Sequence, residues 1–548
     1  MQWLLESQDI PKNQEELKKI LLSNRKISDS TNFFNPTPPS ELSLEELGFD
    51  AARSAQAVAV ILQAVADKKD IVIFGDYDAD GICATAVLWE GLQSLGCVAR
   101  PFIPHREKHG YGVTKKAVEE ISAAKRPDLI ITVDNGIVAH AAAAFARTAG
   151  IPLVISDHHQ AETNPAGELL YPEAAGIFHT TLLCGTTVAW MLARELGAPN
   201  MQESLDLCGL ATISDQVPLV GANRVFAKYG VEALRRTTRV GLQALYTEAG
   251  VRQAELDSYS VGFTVAPRIN AMGRLSHGMD ALRLLCTKSN ERAAQLASIL
   301  GQTNIQRQDI TLDQFNAAVA QVSIQVEESI VVAHSPEFHE GIIGLIAGRL
   351  VEKYAKPALV MSVGEKGIKG SARSVKGVNI TELLRSVREH LTEVGGHPMA
   401  GGFSVTHEKL TVFKSSIFAA AKKTIRKELL IPSLVLDCQL PLSLISEAVC
   451  LMIEEFAPFG SNNQKPIFSL GKVRIVGKQT MGKEKQHLKF LIEPTDFSTA
   501  PIEGLWWRKG GLEEHFSVGQ VVTCAGYLEC SSWNGKKKMQ VVVKDVQN

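Results

Sequence analysis

A chain of 548 residues with 45% apolar and 21% charged residues is long enough for roughly three or four domains of about 150 residues each, and too apolar for wholesale disorder. Its net charge of −2 excludes a globally basic polyanion binder, so any nucleic acid would have to meet a local positive surface. Nine cysteines lie singly with no CxxC pair and no regular spacing, so neither a disulfide framework nor a thiolate zinc site is indicated. The N-terminus meets acid by Glu6 and lacks the basic-then-apolar layout of a secretory signal, and no apolar stretch reaches the roughly 20 residues of a membrane span. These features predict a cytoplasmic protein with no membrane association.

Taken in order, residues 1–50 read as an extension ending in the Pro/Ser/Asn-rich stretch NFFNPTPPSELS, an arm leading into the first domain. Leu44 to Ala66 carries apolar residues at helical spacing. From Ile71 a pattern repeats: apolar run, polar turn, helix. IVIF (71–74) precedes a helix around Ala84 to Leu95, LIITV (129–133) precedes a helix from Val138 to Thr148, and PLVIS (152–156) precedes a turn. Short apolar runs separated by helices predict parallel strands in a doubly wound α/β sheet, whose ligands sit at the carboxyl ends of the strands.

The reactive residues fall at those ends. Asp76, Asp78 and Asp80 follow the first run in GDYDADG, Asp134 follows the second in TVDNG, and Asp157, His158 and His159 follow the third. A further acid, Asp215 in ATISDQVPL, follows the helix-like segment from Leu205 to Ile213 and could close the ring. Each has an ordinary reading. The aspartates could cap helices or form turns, and a histidine could bond to backbone. Like charges this close repel, however, and a bound cation is the natural remedy. Carboxylates with imidazole and no thiolate suit Mn²⁺ or Mg²⁺ ahead of zinc, and enough acids are present for two ions, the arrangement of metal-dependent phosphoester hydrolysis.

These residues resemble the successive metal-binding motifs of the DHH phosphoesterase superfamily, named for Asp157-His158-His159. Within it the chain is similar to the single-strand-specific 5′ to 3′ exonucleases. The likeness extends through PHREKHGYG (104–112), GFTVAPRINAMGRL (262–275), HEGIIGLIAGRL (339–350), GSARSVKGVNI (370–380), GGHPMAGGFS (395–404) and FAPFGSNNQKPIF (456–468), and so covers roughly residues 50 to 540. Ala372 stands where glycine is expected, and Tyr171-Pro172 where Asn-Pro is expected. Neither is a proposed ligand. The resemblance implies Asp78, Asp80, Asp134, His158 and Asp215 as metal ligands, Asp76 as a further or outer acid, and His159 as a support for the ligands or a contact to the scissile phosphate. A water activated by two Mn²⁺ or Mg²⁺ ions would be the nucleophile.

Beyond the first domain, SNERAAQLASILGQTNIQRQDITLDQFNAAVA reads as a long connecting helix, polar on most faces, from about Asn290 to Ala320. A second α/β unit follows, with IVVAH and ALVMSV as strands around the helix GIIGLIAGRLVEKY. Four glycines between Gly395 and Gly402 bracket His397 and read as a loop, which is more often a plain turn than a phosphate cradle. The resemblance makes this a DHHA1-like substrate-binding domain. It implies Ser371, Arg373, Gly396 and His397, with Arg106, Arg268, Asn270 and Arg274 from the first domain, as contacts to the terminal 5′ phosphate and nearby backbone, with Arg274 preferred over Arg268.

After Pro432 the sequence turns to short strands with Gly and Asn turns, of which Asn534-Gly535 is the clearest hairpin signal, and an OB-type barrel fits. Basic residues (Lys483, Lys485, Arg508, Lys509, Lys536 to Lys538) are interleaved with Trp506, Trp507 and Trp533. Such a pattern suits unspecific binding of single strands, although the lysines could merely solubilise an edge and one tryptophan belong to the core. Adjacent strand residues face opposite ways, so one of Trp506 and Trp507 should point in and the other out. Trp507 and Trp533 are the expected stacking residues.

The expected architecture is α/β throughout the first 430 residues. It comprises an extension (1–50), a parallel-sheet DHH catalytic domain (51–288), a connecting helix (289–325), a DHHA1-like domain (326–430) and an all-β OB-type barrel (431–548). The implied function is degradation of single-stranded DNA from its 5′ end to mononucleotides, in recombination and repair. The expected form is a monomer, with a helicase and a single-strand-binding protein as implied partners. The alternative is a phosphodiesterase for short oligonucleotides or cyclic dinucleotides, which would need neither the barrel nor the connecting helix.

Overall fold

The computed structural model describes residues 1–547 apart from 111, 165, 200, 326, 534 and 535, and the side chains of 531–538 also lie outside the description. Two compact units form, Pro38–Leu430 and a second made of Met1–Thr37 with Ile431–Asn548. Among the described residues no helix is long and apolar enough to cross a membrane.

The larger unit is built on five parallel strands, β1 (Ile71–Phe74), β2 (Arg100–Phe102), β3 (Leu129–Val133), β4 (Leu153–Asp157) and β5 (Gly176–His179), in the order β2-β1-β3-β4-β5. IVIF and LIITV read as continuous apolar runs because both faces of the sheet are covered. Ile71 and Ile73 enter one core, and Val72 and Phe74 enter another. Register does the rest. Phe74 lies opposite Thr132, and Val133 opposite Ser156, so β1, β3 and β4 deliver Asp76, Asp134 and Asp157 to one edge of the sheet.

Helix α1 (Ala79–Ser94) starts five residues ahead of the expected Ala84. Asp78 has extended backbone and accepts a hydrogen bond from Gly81 N at 3.0 Å, which is N-cap geometry. The acid run is therefore a strand-to-helix junction, and Asp80 sits inside the first turn. On the same face lie α2 (Gly185–Glu195), α3 (Leu205–Ser214), α4 (Val240–Ala249) and α5 (Ala266–Leu275). A part-buried ionic cluster ties α3 to α1. Arg239, immediately ahead of α4, donates to both carboxylate oxygens of Glu90 on α1 (2.6 and 3.0 Å) and to Asp206 Oδ2 on α3 (3.3 Å), which also accepts from Thr237 Oγ1 at 2.6 Å.

Helix α6 (Asn290–Val322) matches the expected connecting helix in extent but not in character. Leu296, Ala297 and Leu300 enter the core of the first α/β region, while Ala318 and Val322 enter the core of the second. It is thus packed at both ends and is no solvent-bridging rod. The second sheet has β6 (Val331–Ser335), β7 (Ala358–Gly364), β8 (Gly367–Arg373), β9 (Glu393–His397) and β10 (Ala400–Val405) in the order β9-β10-β8-β7-β6, with only β6 and β7 parallel. Helix α7 (Ile343–Tyr354) connects that parallel pair. The glycine-rich segment expected as a loop is the hairpin β9–β10, with Gly395 opposite Gly402 and Gly396 opposite Gly401. Glycine pairs leave the backbone free to join a ladder, and the sequence signal for a turn was in fact this edge of a sheet.

In the smaller unit β11 (Phe468–Met481), β12 (His487–Pro494), β13 (Ile502–Trp506), β14 (Val521–Trp533) and β15 (Lys536–Gln547) close into a five-stranded barrel, since β11 pairs with both β12 and β14. The Asn534-Gly535 turn lies outside the described residues. Residues 1–37, read as an arm leading into the first domain, pack with this barrel. Gln2–Leu5 pairs in parallel with Ser433–Leu436, Leu17 and Leu21 of helix Gln14–Asn24 join the barrel core, and Trp3 Nε1 donates to Asp545 Oδ2 at 2.8 Å.

Candidate active site

Asp80 is the best-anchored acid. It is 1% exposed, and its two oxygens accept from Gly185 N and Thr186 N at the start of α2, both at 2.7 Å, while Thr186 Oγ1 donates to Asp80 O at 2.8 Å. Free N–H groups at a helix N-terminus favour a carboxylate there. Gly185 is required sterically, because a Cβ at that position would lie 2.3 Å from Asp134 Oδ1.

Asp134, from the turn after β3, has a left-handed backbone (φ 62°) and a buried Oδ1 that lacks a hydrogen-bond partner. That atom is 3.1 Å from His158 Nε2, which also lies 3.8 Å from Asp80 Oδ2 and 3.8 Å from Asp215 Oδ2. Asp215 caps the C-terminal end of α3. Two overlapping groups arise, Asp134 with His158 and His159, and Asp80 with His158 and Asp215, the ligand atoms of each lying within 4.8 Å of one another. Burial, and then the charge of Asp80, pushes Asp134 and Asp215 well above the usual carboxylate range. Burial and Asp80 likewise raise Asp78, and burial and Asp78 raise Asp76 to about 7. Asp76 Oδ1 accepts from Tyr77 N at 2.6 Å. An orphaned buried oxygen among mutually repelling carboxylates and a buried imidazole fits a hard divalent cation.

Asp157, the first letter of the DHH motif, is no ligand in either group. Its Oδ1 accepts from His158 N (2.7 Å), His159 N (3.1 Å) and His159 Nδ1 (2.8 Å), and its Oδ2 accepts from Ile137 N (2.9 Å). Burial opposes its charge, but His159 and these donors hold it down at about 2. The same pair acts in reverse on His159, where burial works against protonation and Asp157 outweighs it, lifting the imidazole to about 9. Burial lowers His158. The two histidines of one motif are therefore driven in opposite directions, His158 down by burial and His159 up by Asp157.

A cluster of arginines adjoins the acids. The guanidinium of Arg106 lies 5.2 Å from the Tyr77 ring centroid, and Arg274 Nη1 donates to Gly341 O at 3.1 Å. Arg373 Nη1 donates to Ser371 Oγ (3.1 Å) and Ala372 O (2.9 Å). Burial, then the charges of Arg106, Arg307 and Arg373, brings Arg274 down to about 10, and burial and Arg106 lower Arg373. Ser371 and Arg373 face the first turn of α7, where a Cβ on Gly344 would approach Ser371 Oγ and Arg373 Nη2 to 3.1 Å each.

The other expected substrate contacts fall elsewhere. Arg268 is turned to Glu248 (2.5 Å) and Thr264 O (2.7 Å), so its charge is already met. Asn270 Oδ1 accepts from Ala79 N at 2.7 Å and helps secure the start of α1. Gly396 and His397 are exposed on β9, two strands away from Ala372. In the barrel Trp506 is 6% exposed and packs near Phe490 and Phe516, whereas Trp507 is 49% exposed with its ring edge-on to His487 at 4.7 Å. One points in and one out, as alternation requires. The Trp533 side chain lies outside the described residues. The sequence reading missed the Gly185-Thr186 cradle and the Gly344 approach, which are long-range contacts with no local signature, and the anchoring role of Asp157, whose bonds to His158 N and His159 are local but look the same in sequence as ligation.

Three family models match. They are described as the DHH family N-terminal domain over residues 70–212, the DHHA1 domain over 321–423 and the RecJ OB domain over 436–545. The chain is 32% identical over 547 residues to the single-stranded-DNA-specific exonuclease RecJ of Bacillus subtilis, covering 95% of this chain and 69% of that protein. To the exonuclease of the same name from Thermus thermophilus it is 32% identical over 512 residues, covering 90% and 70%. The crystal structure of RecJ in complex with Mn²⁺ from Thermus thermophilus superposes with a TM-score of 0.83 at 28% identity, covering 100% of this chain and 79% of that one.

Proposed function

Because this chain belongs to the RecJ family of single-stranded-DNA-specific exonucleases, in the DHH superfamily of phosphoesterases, we propose that it removes mononucleotides from the 5′ end of single-stranded DNA with Mn²⁺ or Mg²⁺ as cofactor. The observation that supports attack at a strand end is the joining of two opposite clusters. Arg106 and Arg274 lie within electrostatic reach of Asp76 and Asp78, so one end of a strand can be gripped while a nearby phosphodiester meets the acids.

Asp78, Asp80, Asp134, His158 and Asp215 would hold the cations, with Asp76 outside them. Two such ions supply, when bound, positive charge for the scissile phosphate and a water of lowered pKa for in-line attack. The chain's own residues orient and hold. Gly185 N and Thr186 N fix Asp80, and Asp157 fixes His159 for contact with a non-bridging phosphate oxygen. Arg106, Arg274, Arg373, Ser371 and the first turn of α7 form the seat for the terminal 5′ phosphate, where guanidinium forks and helix N–H groups suit three acceptor oxygens. Arg268, paired with Glu248, is not part of that seat. We place the enzyme in recombination and repair in the cytoplasm, acting as a monomer on strands that a helicase exposes and a single-strand-binding protein coats.

The test offers the protein 5′-labelled single strands, blunt duplex and a dinucleotide with Mn²⁺ or Mg²⁺, beside Asp78→Ala. Release of labelled mononucleotide from the single strand, little attack on duplex and loss of activity in the variant are expected. Preference for the dinucleotide would turn the reading to a short-oligonucleotide phosphodiesterase, and an active Asp78→Ala would remove that residue from the ligands.

Trp507 gives a second expected result. Its exposed ring offers a stacking face, so Trp507→Ala should weaken binding of a long single strand by about 5- to 150-fold, from the ~1–3 kcal/mol of a stacked base. Fluorescence titration with oligothymidylate measures it, and unchanged affinity would take the ring out of the DNA path.

A further inference from the structure

The sheet edge that carries the acids also carries an imidazole from outside the DHH motif. Strand β5 pairs with β4 so that His179 lies opposite Asp157, and the register that aligns Asp76, Asp134 and Asp157 therefore extends to His179. His179 Nε2 lies 2.7 Å from His159 O. A carbonyl oxygen can only accept, so the imidazole donates and Nε2 carries the hydrogen.

That bond completes the hold on His159. Asp157 Oδ1 takes its N–H at 3.1 Å and its ring Nδ1 at 2.8 Å, and His179 takes its C=O. Asp157 alone would fix only the near side of the residue, whereas His179 fixes the peptide that follows it. Both peptides and the ring are then held, which sets the direction of the side chain.

His179 is itself firmly placed. Beside it in β5, the Phe178 ring lies 4.5 Å from that of Phe49, and Thr180 Oγ1 donates to Leu47 O at 2.6 Å. Earlier in the strand, Gly176 comes so near the helix Ala51–Ala66 that a Cβ there would lie 2.5 Å from Ala57 Cα. The His179 imidazole also meets the Tyr171 ring edge-to-face, with centroids 6.1 Å apart and planes at 72°, and the Arg53 guanidinium lies 4.4 Å from the Tyr171 centroid. A histidine of purely structural role could bond any nearby carbonyl. This one bonds the carbonyl of the motif residue read above as a phosphate contact.

We propose that His179 is a positioning residue for phosphodiester cleavage: through its bond to His159 O, and with the Tyr171 ring packed against it, it aims the His159 imidazole at a non-bridging phosphate oxygen. The proposal rests on the reading of His159 as that contact. His179 acts through His159, and it belongs to neither group of candidate metal ligands.

The experiment measures kcat and KM on 5′-phosphorylated oligothymidylate with Mn²⁺, and Mn²⁺ affinity by calorimetry. It compares the full chain with His179→Leu, His179→Gln, Tyr171→Leu and His159→Ala, and with each leucine change added to His159→Ala. His179→Leu should lose about 10- to 30-fold in kcat, since a displacement of about 1 Å can cost about 100-fold, while KM and Mn²⁺ affinity stay within about 2-fold. Glutamine offers an amide donor at similar reach, so His179→Gln should stay within about 3-fold of the wild type. Tyr171→Leu should lose about 3-fold in kcat, and it carries the test if His179→Leu does not fold. Neither leucine change should lose anything further once His159 is alanine, because residues acting through one group are not additive. Equal losses with and without the His159 side chain would show a structural role and overturn the proposal. So would a fall in Mn²⁺ affinity that matches the fall in kcat, or wild-type kcat in the leucine variant that folds. A fully active His159→Ala would overturn the phosphate-contact reading itself, and the proposal with it.

Discussion

Asp134→Asn should lower Mn²⁺-dependent hydrolysis of a 5′-phosphorylated single strand by more than about 10³-fold while stabilising the metal-free protein by about 1–2 kcal/mol. Both effects come from one carboxylate. Asp134 sits in a left-handed turn that asparagine tolerates as well as aspartate, so the backbone has no reason to change. Its Oδ1 is buried without a donor, and Asp80, Asp78 and Asp215 all act to keep it from ionising. A neutral amide removes the cost of holding this carboxyl un-ionised in the metal-free fold and removes a hard anionic ligand from the loaded one. Thermal melting in chelator and then in Mn²⁺, beside the activity assay, separates the two. The wild type should gain more stability from Mn²⁺ than the variant does, because only ligands present in the folded state contribute binding energy to it. Retained activity would remove Asp134 from the ligand set. A variant no more stable than the wild type in chelator would mean that the acids are already offset from within the protein.

That trade-off explains why the catalytic edge was legible in sequence and much of its support was not. Acids directly after apolar runs, as in TVDNG and ISDHH, are locally unfavourable and so stand out, and the register of β1, β3 and β4 brings them to one level. What holds them is non-local. Asp80 is gripped by Gly185 and Thr186, residues from a helix more than a hundred positions away, and nothing in GTTVAW announces an anion cradle. Asp157 carries the motif's name yet spends its oxygens on backbone N–H groups and on His159, a role indistinguishable in sequence from ligation.

Other departures share a cause. GGHPMAGG reads as a loop because glycine permits any conformation, and here it permits two strands to pair closely. In α6 the apolar residues are spread over 33 residues and face two different cores, which dilutes the periodic signal until the helix reads as polar all round. The alternation of Trp506 and Trp507, by contrast, depends only on strand geometry and could be read directly. Residues 1–37 gave no sign of packing with the barrel, since parallel pairing of Gln2–Leu5 with Ser433–Leu436 joins segments over 400 positions apart.

The largest stability effect expected away from the acids is at Arg239. Arg239→Met should destabilise the protein by about 2–4 kcal/mol, because it leaves the buried carboxylate of Asp206 and the part-buried one of Glu90 without their cation. Burial opposes the Arg239 charge, but Asp206 and Glu90 outweigh it and hold the guanidinium protonated. The same cluster bears on catalysis. Glu90 belongs to α1, whose first turn carries Asp80, and Asp206 belongs to α3, whose far end carries Asp215, so Arg239 clamps the two helices that set the Asp80 and Asp215 oxygens at 3.8 Å from His158 Nε2. Loosening the clamp should weaken Mn²⁺ binding by up to about 10-fold, at the low end of what loss of a group bonded directly to a ligand costs, because Arg239 acts through the helices and touches no ligand. Denaturant melts in chelator and calorimetric Mn²⁺ titration at a temperature where the variant remains folded read the two effects separately. Adding Glu90→Gln and Asp206→Asn to Arg239→Met should recover most of the stability, since the penalty is that of stranded charge. If Mn²⁺ affinity stays that of the wild type while stability falls, the cluster holds the fold and leaves the acids where they are. If stability does not fall, water reaches the carboxylates and the clamp is not buried in solution.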